Sequence, residues 1–104
     1  MIGIDLVCIP EFQRQLDSGG GHFLRKAFSE SELENQNVQH LAGLWAAKEA
    51  VIKAALVPPQ QLTDIEITHD ASGRPHGTVE AQHFEISISH HGDYAIAVAM
   101  RVAV

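Results

Sequence analysis

Leu41-Ala42-Gly43-Leu44-Trp45-Ala46-Ala47-Lys48-Glu49-Ala50-Val51-Ile52-Lys53-Ala54-Ala55-Leu56 is the stretch on which the fold turns. It is dense in alanine, and Gly43 is its one weak helix former, so it predicts a long helix from about His40 to Leu56. Pro58-Pro59 is expected to end that helix. Leu41, Trp45, Ile52 and Leu56 mark one stripe, and Leu44, Ala47, Val51 and Ala55 lie beside it. Apolar residues therefore run almost the whole way round, and such a helix needs cover on more than one side.

The flanking sequence has a different period. Ile2, Ile4 and Leu6 alternate with Gly3, Asp5 and Val7, which predicts an N-terminal strand. Pro10 suits a first helical turn, Phe12 and Leu16 stand four apart, and Gly19-Gly20-Gly21 is expected to stop that helix. A second short helix is expected over Phe23 to Phe28. Ser29-Glu30-Ser31-Glu32 then has the form of a capping box opening a further turn. Beyond the long helix, Ile65 and Ile67 alternate, and Asp70 through Pro75 reads as a turn. Phe84, Ile86 and Ile88 alternate with Glu85, Ser87 and Ser89, and a loop follows at His91-Gly92-Asp93. Tyr94, Ile96, Val98, Met100 and Val102 form the clearest strand. Its other face, Ala95, Ala97 and Ala99, is smooth enough for a helix or a neighbouring subunit to approach closely. The order is strand, short helices, long helix, then three or four antiparallel strands. That is an α+β fold with a long central helix packed on a small antiparallel sheet.

Composition narrows the function. The chain has 104 residues, with Asp+Glu 13 and Lys+Arg 7 giving a net charge of -6. It reads as one domain over residues 1–104. An acidic balance argues against a partner such as duplex nucleic acid, whose phosphates need a basic surface. The single Cys8 excludes an internal disulfide framework or a Cys-rich zinc ribbon. No apolar run reaches the ~18 residues of a membrane span, and no basic segment precedes Ile2, so a cytoplasmic protein without a membrane partner is expected.

Three places carry chemistry. Asp5 sits inside an apolar strand, where aspartate is depleted. It is either a water-facing residue of an edge strand or an acidic ligand held on a rigid scaffold. Lys48, Glu49 and Lys53 are the only charges of the long helix. Glu49 and Lys53 share a face in the order that favours pairing, so they read as a solvated stripe with a surface ion pair or as part of a site. An Asp on a strand and a Glu on the helix above it could jointly hold a hard cation, since two carboxylates plus phosphate oxygens are a usual Mg²⁺ environment. The third place is Ser87-Ile88-Ser89-His90, at the end of a strand. Seven histidines invite a zinc reading, but none has i, i+4 helical spacing, and His90 and His91 are adjacent. A Ser-His hydrolase is also disfavoured, because Ser89 and His90 would point to opposite faces of a strand.

These features together resemble one family, the holo-acyl-carrier-protein synthases, which are the small homotrimeric class of 4'-phosphopantetheinyl transferases. Gly3-Ile4-Asp5-Leu6-Val7 matches the family's first strand. Phe23, Lys26, Phe28, Ser29 and Glu32 match its Phe-x-x-Arg-x-Leu/Phe-Thr/Ser-x-x-Glu segment. Trp45-Ala46-Ala47-Lys48-Glu49-Ala50-Val51-Ile52-Lys53-Ala54 matches its helix motif. Asp64-Ile65-Glu66-Ile67, Asp70 through Pro75, and Ser87-Ile88-Ser89-His90 with Tyr94-Ala95 follow in the family's order. The resemblance implies transfer of phosphopantetheine from coenzyme A to a serine of an apo acyl carrier protein, releasing 3',5'-ADP. It implies Mg²⁺ at Asp5 and Glu49, with Asp5, Glu49 and Lys53 as the catalytic group. Lys53 would meet phosphate charge or handle the leaving group. His90, with Ser89, would contact coenzyme A, His90 at its 3'-phosphate. A homotrimer with sites between neighbouring subunits is expected.

The chain departs from the family pattern at four points. No glycine follows the long helix in Ala54-Ala55-Leu56-Val57-Pro58-Pro59, where the family has a Gly-rich loop. Leu44 stands where an arginine is usual, and so does Glu11, with Arg14 one turn further on. The net charge leaves only Arg14, Arg25 and Lys26 to dock an acidic carrier protein. Two other readings stay open: a degenerate member that binds a carrier protein or nucleotide without efficient catalysis, and a different Mg²⁺-dependent pyrophosphate enzyme with a small-molecule acceptor.

Overall fold

A computed structural model describes residues 1–56 and 59–103. Strand β1 (Ile2–Cys8) leads into helix α1 (Ile9–Ala27), a 3-10 turn at Glu32–Glu34 and helix α2 (Val38–Ala54). A second 3-10 turn at Leu62–Asp64 precedes β2 (Glu66–His69), β3 (Pro75–Val79), β4 (Gln82–His91) and β5 (Tyr94–Val102). The five strands form one antiparallel sheet in the order β1-β5-β4-β3-β2. The expected α+β architecture is the observed one. Among the described residues, no helix is long and apolar enough to cross a membrane.

Helix α2 lies across one face of the sheet, and the small side chains there decide how closely it lies. Ala95, Ala97 and Ala99 of β5 are fully buried, facing Ala46, Ala47 and Ala50 of the helix in one core. Of the two partners that the alanine face could take, it takes the helix. Gly3 does the same on β1: a Cβ there would collide with the backbone carbonyl of Ala50. Phe12, Phe23, Phe28 and Trp45 close the α1 side in a set of edge and tilted ring contacts, with centroids 5.4–6.4 Å apart.

Among the described residues, nothing covers the opposite face of the sheet. Ile2, Ile4, Leu6, Tyr94, Ile96, Val98 and Met100 project from β1 and β5, and Ile2 is 67% exposed. An apolar patch of that extent marks an interaction surface.

Two boundaries differ from expectation. Helix α2 runs from Val38, after an Asn37 cap whose side chain accepts from the amides of Gln39 and His40, to Ala54 rather than to Leu56. A side-chain cap at Asn37 adds a turn at its start. Pro58, half of the expected Pro58-Pro59 stop, lies outside the described residues. The triple glycine breaks α1 as expected, into two helices joined at a kink. Only Gly20 leaves helical geometry (φ 56, ψ -144), and the chain kinks there and resumes the helix to Ala27. One glycine absorbs the break because its φ is open only to a residue without Cβ.

Candidate active site

The approach of α2 to β1 brings the charged residues together. Asp5 is half-buried on the edge strand, on the face that α2 covers. Lys53, in the last turn of α2, donates to the carbonyl oxygen of Ile4 at 2.8 Å and to Asp5 Oδ1 at 3.1 Å. The expected Glu49–Lys53 pair does not form. An edge strand presents unpaired carbonyls, and Ile4 O with the Asp5 carboxylate offers the ammonium two acceptors where a surface helix pair offers one.

Glu49 lies one turn before Lys53 and makes no hydrogen bond among the described residues. Partial burial pushes its carboxyl pKa above the usual 4.5, and the Asp5 charge pushes it further, with Lys53 partly opposing. Asp5 and Glu49 line one cavity of about 230 Å³, together with Glu11, Gln15, Cys8 and Trp45. Glu11 thus adds a third acid where the family pattern has a base. Among the described residues no group of three His, Cys, Asp or Glu side chains is arranged to hold a metal ion; Asp5 and Glu49 offer two carboxylates, a set that suits a hard cation whose other ligands are phosphate oxygens and water.

Lys48, the sequence neighbour of Glu49, has a different role. It is fully buried and paired with Glu32 at 2.6 Å. Its ammonium also donates to the carbonyl oxygens of Ala27 (2.8 Å) and Leu62 (3.3 Å) and stands over the Phe28 ring. Glu32 in turn accepts from the amides of Ser29 and Ile67. The Ser29–Glu32 capping box is present, but its carboxylate also ties α2 to β2. A charge placed mid-helix between buried residues on every side was the sequence signal for this pair.

Neither His90 nor Ser89 lines this cavity. His90 sits at the other end of α2, where its Nε2 donates to the carbonyl oxygen of Gln39 at 2.9 Å. With His40 and His69, which sequence reasoning missed, it lines a separate cavity. Ser89 points to the uncovered face and borders a cavity with Leu6, Tyr94 and Ile96. A cavity of about 730 Å³ also opens on that face, against Ile2, Val98 and Met100. Its apolar floor reads as a surface awaiting cover. Arg14, Arg25 and Lys26 are all exposed on α1, the first before the Gly20 kink and the others after it.

The fold has counterparts among known proteins. The model of the 4'-phosphopantetheinyl transferase superfamily matches residues 1–99, and the chain belongs to that family. A holo-[acyl-carrier-protein] synthase of Mycobacterium ulcerans is 36% identical over 121 residues, covering 95% of this chain and 93% of the relative. One from Nautilia profundicola is 36% identical over 110 residues, covering 96% and 97%. The crystal structure of the Helicobacter pylori holo-[acyl-carrier-protein] synthase in complex with coenzyme A superposes with a TM-score of 0.89 at 30% identity, over 98% of this chain and 100% of that one.

Proposed function

We propose that this chain transfers the 4'-phosphopantetheine group of coenzyme A to a serine hydroxyl of an apo acyl carrier protein in the cytoplasm, with Mg²⁺ held by Asp5 and Glu49. The serine oxygen forms the new bond to phosphorus, the pyrophosphate P–O bond breaks, and 3',5'-ADP leaves. The observation that carries the reading is the convergence of an edge strand and a helix: Asp5 and Glu49 line one cavity, and Lys53 pairs with Asp5. A bound Mg²⁺ would supply neutralisation of phosphate charge and alignment for in-line displacement. Asp5 orients the Lys53 ammonium, and Lys53 meets the charge of the phosphates or of the departing ADP. Glu49, unpaired and half-buried, is the carboxylate with most to gain from a cation.

His90 and Ser89 contact coenzyme A in this reading, His90 at the 3'-phosphate. A single copy cannot use both ends of α2 on one coenzyme A. The helix from Gln39, beside His90, to Lys53, beside Asp5, spans about 21 Å. In coenzyme A only a ribose separates the pyrophosphate from the 3'-phosphate. Sites shared between copies remove the conflict, and the uncovered face of Ile2, Ile4, Leu6, Ile96, Val98 and Met100 supplies the contact for a homotrimer. Ile96→Asp should convert the assembly to single chains in sedimentation velocity and abolish turnover; an unchanged sedimentation coefficient removes this face from the assembly. Arg14, Arg25 and Lys26 are the docking cations for the acidic carrier protein.

Intact-mass spectrometry of an apo acyl carrier protein incubated with the chain, coenzyme A and Mg²⁺ tests the whole reading. The expected result is a phosphopantetheine mass gain that is lost with EDTA and with Glu49→Gln. Coenzyme A binding without any gain across several carrier proteins would instead favour a binding module.

A further inference from the structure

Helix α1 forms one wall of the cavity that holds Asp5 and Glu49, and its packing decides which side chains face it. The backbone amide of Ile9 donates to the carbonyl oxygen of Asp93 at 2.7 Å, which pins the turn from β1 into α1. Phe12 is buried against the rings of Phe23, Phe28 and Trp45, and this sets the rotation of the helix about its axis. Glu11 and Gln15, four apart and so on one face, are left lining the cavity. Glu11 is exposed, and among the described residues its carboxylate meets no hydrogen-bond donor and no cation. Asp17, the other acid of α1, accepts from Gln13 Nε2 at 2.9 Å. Arg14 is also exposed and stands at a spacing where Glu and Arg commonly pair, yet no ion pair joins it to Glu11 among the described residues. An acid in the first turn favours the start of a helix, but that effect does not depend on which way the carboxylate faces.

The cavity is short of positive charge. Lys53 is paired with Asp5, and a metal ion on Asp5 and Glu49 would be answered by those carboxylates and by pyrophosphate. Glu11 is left over, beside a ligand of its own sign. The acceptor is the one component still to arrive. Its serine oxygen must reach the phosphorus at this cavity, so the residues flanking the serine pass the α1 wall. We propose that Glu11 is a specificity-determining residue for the acceptor: it favours a carrier protein that presents a basic side chain beside the reactive serine. This rests on the phosphopantetheine transfer reading above. Arg14, about 5 Å further along the helix, then meets an acidic side chain of the same partner. Two opposite charges left unjoined on one face are both satisfied by a partner carrying the reverse order, and a partner with an acid at the first position is rejected by repulsion.

Charge exchange on both sides of the contact tests this. The acceptors are an unaltered apo acyl carrier protein and variants with Lys, Gln or Asp at the residues flanking the serine. The kcat/KM for phosphopantetheine mass gain is measured at low ionic strength with the unaltered chain, Glu11→Gln and Glu11→Arg. The unaltered chain is expected to favour the Lys acceptor over the Asp acceptor by about tenfold, Glu11→Gln to lose most of that preference, and Glu11→Arg to reverse it. Each preference is a ratio on one enzyme preparation, so a loss of folded protein cancels from it. A preference of the unaltered chain for the Asp acceptor, or the same ratio in all three enzymes, overturns the selection and leaves Glu11 as a helix-end charge alone. If neither the unaltered carrier protein nor any variant gains mass, the transfer reading falls and the selection with it.

Discussion

Lys48 and Glu49 are adjacent in sequence and opposite in circumstance. Lys48 is buried, and its ammonium meets one carboxylate and two carbonyls. Glu49 is half-buried and, among the described residues, without a hydrogen bond, and it faces the like charge of Asp5. The first arrangement is complete by itself and joins α2 to the Glu32 turn and to β2. The second is incomplete, and a carboxyl kept in that state is poised for a ligand. The difference teaches that satisfaction of a charge, more than its burial, separates a structural residue from a functional one in this fold.

Removing one partner of the satisfied pair should have the largest effect. Lys48→Ala leaves Glu32 buried and uncompensated, and should cost about 3–5 kcal/mol in urea unfolding. A loss below about 1 kcal/mol would erase the contrast. Lys48→Met combined with Glu32→Gln should recover part of the loss, because no lone charge stays inside.

Glu49→Gln should show the reverse profile. Transfer activity is expected to fall about hundredfold or more, roughly 2.7 kcal/mol in the barrier. The melting temperature should stay level or rise slightly, since a repelled, partly desolvated charge is removed. A variant that loses stability in step with activity would make Glu49 a structural residue like Lys48.

Acidity sharpens the same contrast. A carboxyl whose folded pKa is raised binds its proton more tightly in the folded chain. In the metal-free protein the Glu49 contribution to stability therefore grows as pH falls through that raised value, above 4.5. Mg²⁺ competes with this proton, so the rise in melting temperature on adding Mg²⁺ should shrink over the same window. A magnesium effect that holds constant down to pH 4.5 would detach Glu49 from the metal.

Lys53→Met should be the mildest change to the fold. Its side chain is 53% exposed, and an ion pair of that kind is worth under about 1 kcal/mol. Activity should fall by much more than stability, as kcat and KM measurements would resolve.

Much of this was legible in the chain. The alanine-rich stretch implied a helix needing cover on several sides, and the period-two runs implied the strands. Asp5, Glu49 and Lys53 stood out as charges in apolar surroundings, and the motif order pointed to the family. The Gly20 kink was less legible, because three successive glycines do not say which one will bend.

What the sequence determined by itself was periodicity, residue chemistry and family resemblance, since these depend on neighbours along the chain. Which acceptor Lys53 takes, the burial of Lys48 against Glu32 and the gathering of His40, His69 and His90 were decided by the tertiary structure. Each depends on a distance between elements, and those distances are set by Gly3, Gly43 and the alanine face of β5, where a missing or minimal side chain lets α2 settle against the sheet.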